Sequence, residues 1–328
     1  MKMEKNVTST KEVKMLRDFT KSNKEYIKKN KFILLGVTLF LIVGIIIWSI
    51  FGLNTNFEMS NHNEFSIKAG ADKSVYSEVA QEAKEAINSL GGNYQGYQIF
   101  GEGDNTEIVI KYLDKLSLQD VEELNNTLVK ELKINLEDIS AHVEIEPTFN
   151  KLNYVYTASA ILLIIVLASL FAYYRYNGAS ALSIILACIL GTLSYICISA
   201  ILRLSIGASY LAMLVILNVV IVYFANLIFE NIRKSNWLGN NNYSMAIKSA
   251  LQETKSNISL FSIAIMLIGV LFVLFAPALL KYVSINIMFI SVVALAAAWY
   301  VVPFTWSLLI TSSRKKEYKV KATKDENK

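Results

Sequence analysis

Residues Phe32–Phe51 have the sequence FILLGVTLFLIVGIIIWSIF, a run of twenty residues without a charge. About 20 apolar residues, rising ~1.5 Å each, cross a hydrocarbon core ~30 Å thick, so this run predicts a transmembrane helix. A secretory signal peptide is the alternative, because basic residues precede the run. The run is too long, begins too late and lacks a small-x-small cleavage pattern. We therefore expect a membrane span that is retained.

Five further apolar runs fill the second half of the chain. They lie at Tyr154–Tyr174, Ala179–Leu202, Ser209–Phe229, Ile258–Leu279 and Val283–Thr311. Composition supports a membrane protein, because 54% of the residues are hydrophobic and 18% are charged, whereas soluble domains carry about 25% charged residues. We expect an α-helical membrane protein with six transmembrane helices.

Charge is distributed unevenly along the chain. Residues 1–31 carry ten basic and four acidic residues, whereas residues 53–153 carry eight basic and eighteen acidic ones. Basic residues also follow the second, fourth and sixth runs, and Lys and Arg accumulate on the cytoplasmic side of short loops. Both termini are therefore predicted to be cytoplasmic and the acidic segment external. The basic residues flank membrane spans instead of forming one patch, so we expect no nucleic-acid binding.

These features predict five segments along the chain. The segments are a cytosolic basic leader at 1–31, a first transmembrane helix at 32–52, an external domain at 53–153, a five-helix transmembrane bundle at 154–311 and a cytosolic tail at 312–328.

The external segment has the periodicities of a small α+β domain. Strands are predicted at Glu64–Ala71, Tyr94–Gly101, Glu107–Leu113 and Ile139–Ile145, and helices at Val75–Leu90 and Ser117–Leu132. Ser117 and Asp120 have the spacing of a capping box. The order strand, helix, strand, strand, helix, strand predicts one ferredoxin-like domain.

The residue inventory does not favour an enzyme. Cys188 and Cys197 fall in one span, and His62 and His142 lack further ligands at metal-site spacing. We interpret the cysteines as small membrane residues and the histidines as solvated or locally hydrogen-bonded. Gly101–Gly103 lies between two strands, which favours a hairpin over a nucleotide loop. We expect no enzymatic activity, no metal and no cofactor.

The predicted spans contain no Asp, Glu, Lys or His at depth. Ionisable groups inside a membrane are costly and are functional candidates by default, so their absence bears on mechanism. The predicted spans do contain uncharged polar residues, for which we favour hydrogen bonding between helices: Asn218, Asn226 and Asn286. Gly191 lies among small residues, where close helix packing is the default interpretation.

Short motifs near the external domain resemble those of one transport family. Gly52, Leu53 and Asn54 are similar to the Gly-Leu-Asn that precedes an Asp-Phe-x-Gly-Gly element in SecF proteins. Glu58 stands at the position of the family's Asp, while the paired glycines are replaced by Asn61 and His62. The chain thus keeps the beginning of this element and departs from its end.

Further motifs of the same family follow in the same order. Glu146–Thr148 (EPT), which contains Pro147, resembles the Gly-Pro-Thr that leads into span two. Tyr174–Tyr176 (YRY), with Arg175 at its centre, resembles the Phe-Arg-Phe turn, and Ala181-Leu182 resembles the opening of span three. The sequence FENIRK is close to the family's Phe-Asp-Arg-Ile-Arg-Glu at the end of span four and contributes Phe229, Glu230 and Arg233.

SecF is half of the SecDF accessory complex of bacterial protein export, in the resistance-nodulation-division superfamily. The resemblance implies a divergent multi-pass protein of the bacterial plasma membrane, embedded in the lipid bilayer. It implies three partners, namely a SecD-like subunit, the Sec translocon channel and unfolded secretory chains. Its function would be to assist translocation or release of those chains, with the proton motive force as the energy source if the cycle is driven.

The departures from the family fall at its coupling positions. SecF proteins usually carry an Asp in span three, an Asn-Asp pair in span four and an Arg near the start of span five, all tied to proton coupling. Aligned without gaps, these positions are Gly191, Tyr223, Phe224 and Asn257. Either the alignment slips, or this subunit does not carry protons itself.

Two other functions compete with the SecF-like one. The membrane subunit of an ATP-driven exporter of the FtsX type also places a domain after span one, yet such proteins usually have four spans. Accessibility of Glu230–Lys255 separates the two, because the six-span arrangement alone places this segment between two spans inside the cell. The third hypothesis is a structural subunit that lacks transport coupling.

Overall fold

The computed structural model describes most of the chain between residues 32 and 310. The described residues are 32, 35–68, 73–101, 106–113, 116–147, 151–204, 206–237, 243–275 and 278–310, without the side chains of 73–75, 151, 235–237, 243–250 and 278–282. The predicted leader and tail, and Thr148 of the EPT motif, lie outside this description.

The chain divides into two compact units. The sheet unit comprises Asn54–Tyr154 together with Ser205–Ala208, and the helical unit comprises the remainder. Helix α1, at Leu35–Phe51, belongs to the helical unit and is apolar, but it is shorter than the other helices of that unit. Each unit is described separately below.

The sheet unit contains four strands and two helices in the predicted order. They are β1 (His62–Lys68), α2 (Lys73–Ser89), β2 (Asn93–Phe100), β3 (Glu107–Leu113), α3 (Leu118–Leu132) and β4 (Val143–Ile145). The sheet is antiparallel with the order β2-β3-β1-β4. The predicted external α+β segment therefore contains a small four-stranded sheet.

One hydrophobic core holds the sheet to its helices. Phe65, Ile67, Ile108 and Ile110 come from the central strands, and Leu128 comes from α3; all are at most 1% exposed. The side chains of these strand residues fall at period two, which places them on one face of the sheet. The alternation in the sequence therefore marks the buried face.

The predicted capping box of α3 is confirmed. The Ser117 hydroxyl accepts a hydrogen bond from the Asp120 backbone N–H, and the Asp120 carboxylate accepts one from the Ser117 backbone N–H. Each side chain thus satisfies a backbone donor that the first turn of the helix leaves unpaired.

Strand β4 is shorter than predicted, because only Val143–Ile145 pairs as a strand and Ile139 makes an isolated bridge to Ile67. Glu64 pairs with Val143. Between these two pairings, β1 advances three residues, from Glu64 to Ile67, whereas the partner segment advances four, from Ile139 to Val143. The extra residue interrupts the ladder, as a β-bulge does.

Five long helices form most of the helical unit. They are α4 (Lys151–Arg175), α5 (Gly178–Ile201), α6 (Ala208–Trp237), α7 (Tyr243–Phe275) and α8 (Ala278–Ala296), which continues through the π-helical segment Ala297–Val301. All five are long and apolar enough to span a membrane. The prediction of six spans remains open, because the described part of α1 is shorter than these helices.

The fifth span differs from its prediction at its end. Helix α7 ends at Phe275, so Ala278 and Leu279 of the predicted span Ile258–Leu279 belong to α8. Helix α7 also begins before the predicted span and continues through polar residues such as Lys255. Lys255 therefore lies on a helix, in the polar stretch that precedes Ile258.

Burial separates the long helices into two groups. The apolar windows of α5, α6 and α8 are 44–50% buried within the protein, whereas those of α4 and α7 are 11% and 17% buried. Residues buried within the protein are therefore most frequent on α5, α6 and α8, where the description of the site begins.

Candidate functional site

Gly191, which the gap-free alignment sets against an Asp of SecF proteins, lies at a close approach of α5 to α6. It is buried, and a Cβ at this position would overlap the δ-methyl group of Ile221, which is itself fully buried. Any side chain at 191 must therefore displace Ile221. The absence of a side chain here serves close helix packing.

The other three coupling positions lie in two environments. Phe224 is fully buried and Tyr223 is about half exposed, and both rings contact Phe261 of α7 at centroid distances of 5.8 and 5.9 Å. Asn257 lies at an exposed position of α7. Tyr223 and Phe224 thus make an aromatic contact, and Asn257 is a surface amide.

A pair of uncharged polar side chains lies next to Gly191. The Asn218 amide donates hydrogen bonds to the Thr192 hydroxyl and to the Leu214 carbonyl, both at 2.9 Å. Asn218 is fully buried, so the pair satisfies an amide that would otherwise be costly to bury. This contact joins α5 to α6.

A second polar pair joins α5 to α8. The Tyr195 hydroxyl donates a hydrogen bond to Asn286 Oδ1 at 2.8 Å, and the Tyr195 ring stacks on Tyr210 at 5.0 Å. The predicted interhelical bonding is thus confirmed for Asn218 and Asn286. Asn226 Oδ1 is buried without a hydrogen-bond partner in the described part of the chain.

Two of the family motifs meet at one end of the helical unit. Arg175 donates to Glu230 Oε2 from Nε and Nη2, at 3.3 and 3.2 Å, and Arg233 donates to Glu230 Oε1 at 2.9 Å. The Tyr176 ring also packs against Phe229, with centroids 5.7 Å apart. We call this end of the helical unit the basic end.

Helices α7 and α8 reach the same end. Asn231 donates to the Thr254 hydroxyl at 2.7 Å, which joins α6 to α7 just before Lys255. Lys255 Nζ lies 5.3 Å from the Trp299 ring centroid and 5.7 Å from that of Tyr300. Such contacts attract a cation to the face of an aromatic ring.

Sequence reasoning missed Lys255. The gap-free alignment pointed to Asn257, and a basic residue two positions earlier was the available signal. The aromatic partners of Lys255 lie more than forty residues away in the sequence, on the π-helical segment of α8. Nothing local in the sequence shows that these rings and this ammonium group come together.

In the sheet unit, Glu58 binds the beginning of α6. Its Oε2 atom accepts a hydrogen bond from the Ala208 backbone N–H at 2.6 Å and one from the Asn56 amide at 3.3 Å. A carboxylate at a helix N-terminus satisfies an unpaired donor and is favoured by the helix dipole. A Cβ at Gly207 would overlap both Asn56 and Glu58, so this position suits glycine.

The Gly-Leu-Asn motif lies at the transition from α1 into the sheet unit. Gly52 has a left-handed φ of 64°, and the Arg203 guanidinium donates to its carbonyl at 3.0 Å. Within the sheet unit, the Asn54 carbonyl accepts a hydrogen bond from the Ile206 backbone N–H at 2.8 Å. Leu53 and Pro147 are both partly exposed.

His62 is buried and hydrogen-bonded rather than solvated. Its Nε2 atom lies 2.9 Å from Glu64 Oε1, and its Nδ1 atom lies 3.3 Å from the Ser60 carbonyl oxygen. Lys111 forms an ion pair with the same Glu64 oxygen. Burial raises the pKa of the Glu64 carboxyl, but the hydrogen bonds and charges of Lys111 and His62 outweigh it and lower that pKa.

His142 lies between β1, β3 and α3. Its ring stacks on Phe65 at 4.4 Å, and its Nδ1 atom lies 2.9 Å from the Tyr112 hydroxyl. Its Nε2 atom lies 3.0 Å from Asn125 Oδ1, so Nε2–H donates there and the Tyr112 hydroxyl donates to Nδ1. Burial lowers the pKa of His142, and it raises the pKa of Tyr112 to about 12.

Both cysteines, Cys188 and Cys197, are buried free thiols. A Cβ at Gly44 of α1 would overlap Cys197, so the small thiol lies where α1 approaches α5. Within the described residues, no three His, Cys, Asp or Glu side chains come together as a metal site.

No known family model matches this chain, and no curated protein matches it either. Its structure is similar to a crystal structure of SecDF in a super-membrane-facing form, with a TM-score of 0.71 and 14% identity over 89% of this chain. It is also similar to SecDF from Thermus thermophilus, described as a translocon-associated membrane protein, with a TM-score of 0.60 and 17% identity over 88%. The chain has the fold of SecDF.

The match to SecDF covers part of that protein. The chain spans 39% and 38% of the two SecDF chains, about two fifths of their length. The family resemblance in the sequence is thus confirmed at the level of a SecD- or SecF-like fold.

Proposed function

We propose that this chain is a SecF-like subunit that assists the movement or release of unfolded secretory chains at the Sec translocon. The observation that carries the proposal is the match to SecDF, which extends over 89% of the chain at a TM-score of 0.71. The ordered motifs support the SecF half, because Arg175 and Glu230, which belong to two of them, form an ion pair.

The proposed partner is a SecD-like subunit. This chain spans about two fifths of SecDF, so a second half of related fold would complete the assembly. Helices α4 and α7 support this view, because most of their surface is left uncovered by the chain itself. In this arrangement the basic end faces the cytoplasm, α1 is a sixth span, and the sheet unit is an external ferredoxin-like domain.

We place proton coupling in the partner. A Cβ at Gly191 would overlap the δ-methyl group of Ile221, and Tyr223, Phe224 and Asn257 supply neither a carboxylate nor a guanidinium group. The same observations support a second candidate, a subunit that stabilises the assembly without any transport coupling. In neither case does the chain act as an enzyme.

Deletion of the gene followed by pulse-chase labelling of a secreted protein tests the export function. We expect slower export and restoration by the wild-type chain. Affinity purification in mild detergent should recover a SecD-like protein and a channel component. Unchanged export together with failure to recover either partner would contradict the proposal, and recovery of an ATPase instead would favour the FtsX-type exporter.

Proton flux separates the two candidates. The purified chain, reconstituted alone in liposomes with an enclosed pH-sensitive dye, should conduct no protons. If the co-purified complex conducts protons, the partner supplies the coupling; if the complex conducts none, this subunit belongs to an uncoupled assembly. Flux through the chain alone would contradict both.

A further inference from the structure

An apolar pocket of about 380 Å³ lies within the helical unit. Its walls come from α1, α5 and α8, represented by Phe40, Ser194 and Ala297. The π-helical segment Ala297–Val301 forms part of the α8 wall. Single π-turns in α-helices often occur at functional sites, and this one widens the helix at the pocket.

The pocket opens on the surface of the helical unit. Gly36 and Val292 at its edge are exposed, and Tyr300 is 37% exposed. On α5 the lining residues, from Leu190 to Ile198, fall within the membrane-spanning stretch. The opening therefore faces hydrocarbon rather than water, and an apolar chain is the chemistry that fits it.

Two hydrogen-bond donors that have no acceptor among the described residues lie beside the α8 wall of this pocket. Lys255 Nζ lies over the Trp299 and Tyr300 rings and makes no ion pair within the described part of the chain. The buried indole Nε1 of Trp299 also has no hydrogen-bond partner among the described residues. Tyr300 belongs to both places, because it lines the pocket and contacts the ammonium group.

We propose that this pocket and Lys255 together bind one anionic phospholipid. One acyl chain fills the pocket, and the phosphate lies at the Lys255 ammonium group near the basic end. The Lys255 ammonium group precedes the apolar part of α7, and a lipid phosphate is the anion that a bilayer supplies near the end of a spanning helix. Free phosphate would leave the apolar pocket empty, so the lipid accounts for both features.

Gly36 provides the sharpest test. A Cβ at this position would contact nothing within 4 Å, so a larger side chain can enter the pocket without a clash at the backbone. Leu39 lies on the same helix, is 60% exposed and does not line the pocket. Gly36→Leu should therefore fill the site, while Leu39→Phe is a matched control that adds volume on the lipid-facing surface.

Native mass spectrometry of the delipidated full chain measures the binding, with phosphatidylglycerol and phosphatidylcholine as probes. We expect preference for phosphatidylglycerol, a loss of about tenfold in its affinity in Gly36→Leu, and no change in Leu39→Phe. Lys255→Gln should lower the preference by about fivefold and retain acyl-chain binding. Equal binding of both lipids, or unchanged affinity in Gly36→Leu, would overturn the proposal.

Photolabelling of the wild-type chain tests the same site without a variant that could fail to fold. A phosphatidylglycerol with a photoactivatable diazirine in its acyl chain should label the peptides that contain Ser194 and Tyr300. Labels confined to the exposed α4 and α7 would overturn the assignment. If glycerol phosphate, which has no acyl chain, competes with the lipid, the occupant is a free phosphate group and the proposal is overturned. If the chain forms a dimer that Gly36→Leu abolishes, the occupant is a second copy of the chain and the proposal is likewise overturned.

Discussion

The interiors of the two units are held together by different polar chemistry. The sheet unit buries ionisable groups, with His62 and Lys111 on Glu64, and His142 on Tyr112. The helical unit instead pairs amides and hydroxyls, such as Tyr195 with Asn286, and keeps its ion pairs at the basic end. The difference predicts that protons act on the sheet unit and leave the interior of α5, α6 and α8 unaffected.

The largest expected difference between the units concerns apolar packing. Leu128→Ala should lower the free energy of unfolding of the sheet unit by about 2–5 kcal/mol, because it opens a cavity in a fully buried core. Leu163→Ala on α4 should cost about 1 kcal/mol or less, because Leu163 is 58% exposed and lipid replaces its contacts. Urea unfolding of the full chain, followed by hydrogen exchange of each unit, measures both.

A smaller effect is expected for the polar pair of the helical unit. Tyr195→Phe removes the donor to Asn286 and should lower the stability of the helical unit by about 0.6 kcal/mol, the average measured for hydrogen bonds between membrane helices, and by no more than ~1.7 kcal/mol. Tyr156→Phe, at a residue 65% exposed on α4, is the control and should cost nothing. If the loss of stability in Tyr195→Phe became larger at acid pH, this would contradict the uncharged character of the interior of the helical unit.

A third effect appears in the sheet unit as a dependence on pH. The pKa of His142 is below its usual value of 6.5, so its neutral form stabilises the fold above about pH 6.5 and that stability is lost as the pH falls further. Glu64, whose pKa is also lowered, adds a loss at more acidic pH, below its usual value of 4.5.

His142→Gln should remove the part of this dependence that begins as the pH falls below about 6.5, because glutamine does not titrate. Thermal melts of the sheet unit within the full chain, recorded across this interval, provide the measurement. Lys111 and Glu64 remain in the variant, so the loss at lower pH should persist. An unchanged melting profile would show that His142 does not control it.

The smallest effect is expected at the basic end. Arg175→Ala should lower the stability only slightly, because Arg175 is 42% exposed and exposed ion pairs are weak. Salt should remove most of this difference, since exposed charges are screened. Stability of the wild type and the variant at low and high salt tests the estimate, and a salt-independent loss would instead indicate packing of the Arg175 stem.

The sequence predicts local elements of this chain well and distant contacts poorly. Glu107–Leu113 is a strand with the predicted bounds, and the capping box of Ser117 is present, because both depend on neighbouring residues. Strand β4 was predicted too long, because a bulge depends on the register with another strand. The predicted fifth span runs past the end of α7 at Phe275, because Ala278 and Leu279 are as apolar as the residues before them.

The candidate site shows the same limit. The motifs around Arg175 and Glu230 were recognised separately, and the ion pair between them appears only in the structure. Asn286 was interpreted as a hydrogen-bonding residue, but its partner Tyr195 was not foreseen. Pairing across about ninety residues depends on how α5 packs against α8, which periodicity within one helix does not encode.

Hydrogen exchange of the full chain in lipid nanodiscs tests the contrast between the units most directly. It compares amide protection at about pH 7.5 and 5.5, corrected for intrinsic exchange rates, an interval that spans the usual pKa of histidine. We predict that protection of β1, β3 and α3 falls at the lower pH, whereas that of α5, α6 and α8 stays constant. Lower protection in α5, α6 and α8 at the acid pH would contradict this account.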